Sequence, residues 1–389
     1  MDDISAYPEC ETVVTSYKND FCYCGYSFAQ MRAVNLSPFA PLTDGELVAP
    51  GDLLFLDTET TGLSTGSGAV AFLLGVGHYS EDGFVIKQYL MRDYDEEASL
   101  LLHLKSEMAN RNALVTYNGK AFDMNLLASR YIMNGMRLQG GGCHIDLLQP
   151  SRRIWRRCLE NCRLSTIESQ ILGGRRTGDI PGSLIPQIYF DYLETREYEL
   201  LDAIFLHNRL DILAMAAILK YIADLSDRVS QGAPYGSVHN DIAEKMTYGK
   251  LADRTSEELL GLAGFFYTIG DRGLAESCLH KCLERGKPAV DRRALRILAE
   301  MKKREGKHPE AVAYWKRLLD YSPAAGVYPY IELAKYYEHK ERNPVTAKEY
   351  TDQAHIIAAG PLYNLSGVRM EIEQRRDRLI RKINRMAER

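Results

Sequence analysis

Four carboxylates and one histidine stand where chemistry would need them. The run Leu53-Leu54-Phe55-Leu56 leads into Asp57-Thr58-Glu59-Thr60-Thr61-Gly62-Leu63. Asn118-Gly119-Lys120-Ala121-Phe122-Asp123 follows, and later His207-Asn208-Arg209-Leu210-Asp211. Each acid lies at the edge of an apolar segment, where a lone solvated charge has no need to sit. Asp57 and Glu59 are two apart at the end of an expected strand, so both point to one face. Asp123 opens an expected helix, whose amide dipoles favour negative charge. His207 and Asp211 are four apart on an expected helix and stack on one side of it. Gathered together, four carboxylates repel strongly unless cations neutralise them. Two divalent metals are the economical neutraliser, and the natural chemistry of such a pair is phosphodiester hydrolysis. Oxygen-only ligands suit Mg²⁺ or Mn²⁺ better than zinc. Histidine titrates near neutrality and can take a proton from an attacking water.

The elements that must position these groups are legible from pattern. A continuous apolar run over 53–56 suits a buried central strand. Strands over 69–79 and 84–91, joined at Glu81-Asp82-Gly83, complete an antiparallel meander. Leu100, Leu101, Leu104 and Met108 give helical spacing over 96–109. A strand at 113–117, a helix at 124–133 and a strand end at 144–148 follow. Helical stretches over 151–195 are broken at Gly173-Gly174 and Pro181-Gly182, and one long amphipathic helix spans 198–225. Strands first, then alternation with helices, predict an α/β domain: a mixed sheet flanked by helices. Its span is 47–229, preceded by an extended lead-in over 1–46.

Gly232, Pro234 and Gly236 mark a linker over 230–254. The remainder, 255–389, is helical and periodic: Ala275, Ala311 and Ala347 are 36 residues apart, and Ala263 and Ala299 keep the same step. Turns are expected at Gly270-Asp271, Gly306-Lys307 and Arg342-Asn343-Pro344, with Pro288 and Pro323 ending the second helices. The period resembles that of tetratricopeptide-like hairpins, which bury their faces only against neighbours. Trp315, Tyr314, Tyr328, Tyr330, Tyr336 and Tyr337 could pack there or stack on bases. The arginine-rich end, 371–389, reads as a capping helix with a basic face.

A chain of 389 residues suits two domains, and 46% hydrophobic with 26% charged residues is an ordinary globular balance. A net charge of −4 excludes the global basic field of DNA-coating proteins, so nucleic acid would be held by a local groove. No signal sequence opens the chain, and no apolar run approaches the ~20 residues of a membrane helix. The expectation is a soluble cytoplasmic protein with no membrane contact. Eight cysteines do not make a disulfide framework at this length. Cys143, His144, Cys158 and Cys162 could gather around zinc, but they lack a Cys-x-x-Cys knuckle, and reduced structural thiols are expected. Arg152, Arg153, Arg156, Arg157, Arg175 and Arg176 lie between the second and third acid motifs, either as a phosphate-gripping wall or as solvated charge. Asp179, before Ile180-Pro181-Gly182, reads as turn chemistry.

The three motifs, in this order, resemble those of the DEDD superfamily of 3′-to-5′ exonucleases, which have a ribonuclease-H-like fold. One departure stands out: His207 and Asp211 combine the histidine of one subfamily with the four-residue spacing of the tyrosine subfamily. Residues 50–225 are most similar to the bacterial YprB-type ribonuclease-H-like family. Leu164-Ser165-Thr166-Ile167-Glu168, Arg175-Arg176, Asp179-Ile180-Pro181-Gly182 and His207-Asn208 carry that likeness. The resemblance implies that Asp57, Glu59, Asp123 and Asp211 ligate two Mg²⁺ or Mn²⁺ ions, with His207 as general base or water-orienting group. It implies Thr58, Gly62, Leu63 and Asn118 near the substrate, and Phe122 packed beneath the sheet. The expected activity is 3′-to-5′ hydrolysis of single-stranded DNA or RNA. A structure-selective endonuclease is one alternative. An adaptor that binds nucleic acid, and a protein partner through its helical repeats, is another.

Overall fold

Short apolar strands set the frame. Glu11–Lys18 (β1), Cys22–Tyr23 (β2), Tyr26–Ser27 (β3), Leu53–Thr60 (β4), Ala71–Tyr79 (β5), Gly83–Leu90 (β6), Ala113–Thr116 (β7) and Cys143–Asp146 (β8) are extended. The computed structural model describes residues 4–42, 46, 48–62, 68–138, 142–230, 251–360 and 366–387. β2 and β3 form a small ribbon, and the others make one sheet in the order β1-β6-β5-β4-β7-β8. The meander β4-β5-β6 is antiparallel, and β7 and β8 run parallel to β4 on its other side. β1 pairs antiparallel with β6, Glu11 opposite Leu90 through Lys18 opposite Gly83. The stretch expected as a lead-in thus supplies the sheet's edge strand; its alternation of polar and half-buried residues suits one solvated face.

Helices cover this sheet: Phe28–Arg32 (α1), Glu97–Ala109 (α2), Asp123–Met133 (α3), Leu148–Trp155 (α4), Leu164–Gln170 (α5), Ile185–Thr195 (α6) and Leu201–Ser230 (α7). Leu54 and Leu56 of β4 join a core with Leu100, Leu104, Leu127, Tyr131 and Tyr189, from α2, α3 and α6. Phe55 points the other way and meets Tyr79 and Phe84 edge-on. By strand alternation Asp57 and Glu59 continue the face of Leu53 and Phe55. Helix α7 packs against β4, β5 and β6. Two glycines of β5 permit that approach. A Cβ on Gly75 would fall 2.0 Å from the Asn208 side-chain oxygen, and one on Gly77 would fall 2.5 Å from Ile212 Cγ2.

The chain divides into two compact units, Met1–Lys250 with Gly264–Leu274, and Leu251–Ala263 with Ala275–Arg389. The linker expected over 230–254 lies outside the described residues from 231 to 250, and 251–254 already belong to a helix. The later helices are Leu251–Thr268 (α8), Arg272–Glu284 (α9), Pro288–Arg304 (α10), His308–Leu319 (α11), Tyr328–His339 (α12), Pro344–Ala358 (α13) and Ser366–Ala387 (α14). The periodic alanines Ala275, Ala299, Ala311 and Ala347 are fully buried. Pro288 opens α10 rather than closing the helix before it; proline fits a first helical turn because its missing N–H would find no partner there. Trp315 lies in a core with Leu295, Ala311 and Leu333, and its indole N–H donates to the Tyr328 hydroxyl at 3.2 Å. In α14, Ile372 and Leu379 are buried while Arg375 and Arg378 pair with Glu338, so this basic helix caps the stack. Among the described residues no helix is long and apolar enough to cross a membrane.

The close approach at Gly75 gives a direct test. Gly75→Ala is expected to destabilise the protein by about 1–3 kcal/mol through overpacking. Gly51→Ala, whose added methyl meets nothing within 4 Å, is expected to leave stability nearly unchanged. Urea unfolding of the two variants checks this.

Candidate active site

Sheet strand β4, helix α3 and helix α7 bring the acids together. Asp57 and Glu59 extend from the second half of β4, whose register against β5 shifts between Glu59 and Thr60. Such irregularities bend a strand and re-aim its side chains. Asp57 Oδ2 accepts a 2.8 Å hydrogen bond from Asn208 Nδ2 on α7. Asn208 is fully buried, and its own oxygen accepts from Gln88 Nε2 of β6 at 2.8 Å. Gln88 also donates to the Phe205 carbonyl at 2.9 Å, which fixes this relay to the helix backbone. Asp123 begins α3 and accepts from the Thr58 hydroxyl.

The electrostatics confirm that these groups share a space. Burial pushes the Asp57 carboxyl well above its ordinary range, and Asp211 and Asp123 push it further, against the Asn208 hydrogen bond and Arg176. Burial, then Asp57, Asp211, Asp123 and Asp179, raise Glu59 likewise. Asp123 is also raised, by burial, with the Thr58 hydroxyl opposing. Both β4 acids are half-buried.

His207 and Asp211 occupy one face of α7, as expected, and a partner absent from that expectation holds each. His207 Nδ1 lies 2.7 Å from Asp179 Oδ1, and its Nε2 lies 3.7 Å from Asp211 Oδ2. Asp211 Oδ1 is 2.5 Å from Arg176 Nη2. The Arg176 guanidinium also meets Asp179 at 3.1 Å and Glu168 at 2.6 Å. Glu168 is buried and accepts from the Tyr23 hydroxyl at 2.5 Å. Asp179 is therefore more than turn chemistry. It does accept from the Ile180 N–H at 2.9 Å, but it also bridges an imidazole and a guanidinium. Arg176 separates from the other arginines of its cluster: Arg152, Arg153, Arg156, Arg157 and Arg175 are exposed, whereas Arg176 is nearly enclosed.

The second motif is held from beneath. Asn118 adopts a left-handed backbone, φ 71°, and its N–H donates to Asp146 Oδ1 at 2.8 Å. The Lys120 N–H donates to the other Asp146 oxygen at 3.1 Å. Asp146 is buried and so clamps the turn that leads to Asp123. Gly119 is needed there, because a Cβ would fall 2.5 Å from Thr116. Phe122 does not pack beneath the sheet: it is 49% exposed, since it precedes α3 on the solvent side of that turn. Gly62 follows β4, its carbonyl accepting from the Thr60 hydroxyl at 2.9 Å; Leu63 lies outside the described residues. The eight cysteines are free thiols, and His144 pairs with the Thr116 hydroxyl at 2.8 Å.

Does this donor set fit divalent cations? The donors are hard carboxylate oxygens, and burial with neighbouring acids makes Asp57 and Glu59 costly to ionise unless a cation compensates them. That chemistry fits Mg²⁺ or Mn²⁺. Among the described residues, no three His, Cys, Asp or Glu side chains already converge on one ion position. The reason is visible: Asp211 is turned to Arg176, Asp123 to Thr58 and Asp57 to Asn208. Sequence reasoning missed Asn208, Gln88, Arg176, Glu168 and Asp179 as site residues. Glu168, Arg176, Asp179 and Asn208 lie in the segments that carry the family likeness, whereas Gln88 sits in an ordinary strand and left no signal.

Comparison with known protein families agrees with the fold. The RNase_H_2 family of the RNase_H superfamily matches residues 54–223. The uncharacterized protein YprB of Bacillus subtilis (strain 168) is 30% identical over 344 residues, spanning 86% of this chain and 77% of that protein. Among solved structures, the family B DNA polymerase of the archaeon Pyrobaculum calidifontis matches 56% of this chain and 29% of its own, at 14% identity and a TM-score of 0.36. An ExoI/SSB-Ct complex matches 78% of this chain and 99% of its own, at 12% identity and a TM-score of 0.27.

Two outcomes are expected. Because Asp57 and Glu59 titrate above their unfolded values, the folded state binds more protons than the unfolded state over that interval. Stability of metal-free protein therefore falls as pH rises from about 4 through the raised values, and Mg²⁺ or Mn²⁺ restores it at neutral pH. Thermal unfolding with chelator and with metal at several pH values reads this, with Asp57→Asn/Glu59→Gln as the flatter control. Arg176→Met leaves Glu168, Asp179 and Asp211 without their guanidinium and is expected to cost about 3–5 kcal/mol in urea unfolding.

Proposed function

The chain belongs to the RNase_H superfamily, in the family that includes YprB, and from that membership and the acid cluster we propose that it is a metal-dependent nuclease. The finer reading is a 3′-to-5′ exonuclease on single-stranded DNA or RNA, acting in the cytoplasm. One observation supports it: burial, and then the neighbouring acids Asp211 and Asp123, raise Asp57, and the same causes raise Glu59, so acids from three distant segments lie near one another. A cluster so costly to charge suits a site completed by cations.

Asp57, Glu59, Asp123 and Asp211 would hold two Mg²⁺ or Mn²⁺ ions. Bound there, such ions activate a water nucleophile and stabilise the charge of the leaving 3′ oxygen. The residues of the chain do the rest. Asn208 and Gln88 fix Asp57 from below, and Thr58 orients Asp123. His207 presents Nε2 toward the acids and can take the proton of the attacking water. Gly62 offers a backbone surface with open space at its Cα, suited to the close approach of a terminal nucleotide. Phe122 is exposed beside Asp123 and can face a base. Asn118, held by Asp146, shapes the wall next to it. The exposed arginines of α4 suit phosphates, and the helical unit is a candidate surface for a protein partner.

A digestion tests this. Full-length protein with Mg²⁺ or Mn²⁺ is given 5′-labelled single-stranded DNA and RNA, with a circular strand alongside. A ladder shrinking from the 3′ end is expected, with the circle intact and activity at background in Asp57→Asn and Asp211→Asn. Cutting of the circle would replace the exonuclease with an endonuclease. Undiminished activity in both variants would sink the metal-site reading altogether.

A further inference from the structure

The segment 171–181, between α5 and α6, crosses the His207–Asp211 face of α7 and touches both side chains. Asp179 uses both its oxygens there. Oδ1 faces His207 Nδ1 at 2.7 Å, and Oδ2 accepts from Arg176 Nη1 at 3.1 Å. Arg176 cannot easily turn away, because its Nε donates to Glu168 at 2.6 Å and its Nη2 meets Asp211 at 2.5 Å. Glu168 is itself buried and tied to the Tyr23 hydroxyl. Asp179 is thus the outer end of a rigid chain of hydrogen bonds that starts in the small β2-β3 ribbon.

We propose that Asp179 is a positioning residue for His207: it fixes the ring with Nδ1–H donated to its carboxylate, leaving the Nε2 lone pair turned toward the acid cluster. A carboxylate on one ring nitrogen selects the tautomer in which the other nitrogen is an acceptor. The remaining geometry agrees. Nε2 lies 3.7 Å from Asp211, too far for an Nε2–H to donate to that carboxylate, so no hydrogen bond there requires Nε2 to carry the proton. Gly182 passes on the same side, where a Cβ would stand 3.5 Å from Nε2, in ordinary contact. A ring held this way can accept the proton of a water without first reorienting. The catalytic consequence rests on the nuclease reading above; the ring geometry does not.

Asp179→Asn separates this role from simple packing. The isosteric amide has one oxygen for three donors, the His207 ring, the Ile180 N–H and the Arg176 guanidinium. The guanidinium makes the stronger, charge-assisted bond, so the amide nitrogen is left to donate to Nδ1. That reverses the tautomer while the fold stays intact. The experiment is a long-range proton–nitrogen correlation on full-length, metal-free protein labelled with ¹⁵N-histidine, with the His207 signals assigned by their loss in His207→Asn. The expected result is an Nδ1–H ring in the wild type and an Nε2–H ring in Asp179→Asn, with Asp179→Ala losing the strong bias. In the nuclease assay both variants are expected to lose about 10- to 100-fold in kcat with KM little changed, and Asp179→Glu to recover part of it. An Nε2–H ring in the wild type, or wild-type kcat in both variants, would overturn the proposal. Absence of cleavage by the wild type would count against the nuclease reading alone, and the tautomer would still decide the role of Asp179.

Discussion

Repulsion among carboxylates that have lost much of their water is the constraint around which the first unit is arranged. β4 buries Leu53 to Leu56 and then turns acidic within the same strand. Burial of the apolar half carries Asp57 and Glu59 into the protein, where each unit of charge costs far more than in solvent. Asp123 and Asp211 then arrive from α3 and α7 and raise that cost. Charge density of this kind persists only where the surrounding structure over-determines it.

The compensation is asymmetric, and that asymmetry has chemical meaning. Asp211 receives a guanidinium, whereas Asp57 and Asp123 receive only neutral donors, from Asn208 and Thr58. Neutral donors fix a carboxylate's direction without cancelling its charge. Asp57 and Asp123 are therefore oriented by donors that carry no charge to offset theirs. Arg176 serves a different purpose, linking Glu168, Asp179 and Asp211 and so tying the α7 face to the loop over it.

Around this, small residues decide what can come close. Gly75 lets the Asn208 amide reach Asp57, and Gly119 lets the second motif fold over Thr116. In the helical unit the same principle appears in the alanines at regular intervals, buried where helices cross. The two units reach their packing differently. The first depends on contacts between residues far apart in sequence. The second is built from neighbours, so its logic repeats along the chain.

That difference explains what could be read without the structure. The four acids, His207, the order of strands and helices, the helical turns at Gly270 and Gly306, and the buried alanine repeat all follow from local pattern: periodicity, turn residues and charge at the end of an apolar run. The sequence by itself determined which groups are present and on which face of which element they lie. Only the tertiary structure decided what restrains them. It makes 11–18 the edge strand of the sheet, turns Phe122 outward, and removes Arg176 from its surface cluster to meet Asp211. Asp179, by local signal a turn residue, finds His207 twenty-eight positions later. Pairings of that kind leave no periodic trace, because a hydrogen bond between distant segments is set by how the chain packs and not by the spacing of its residues.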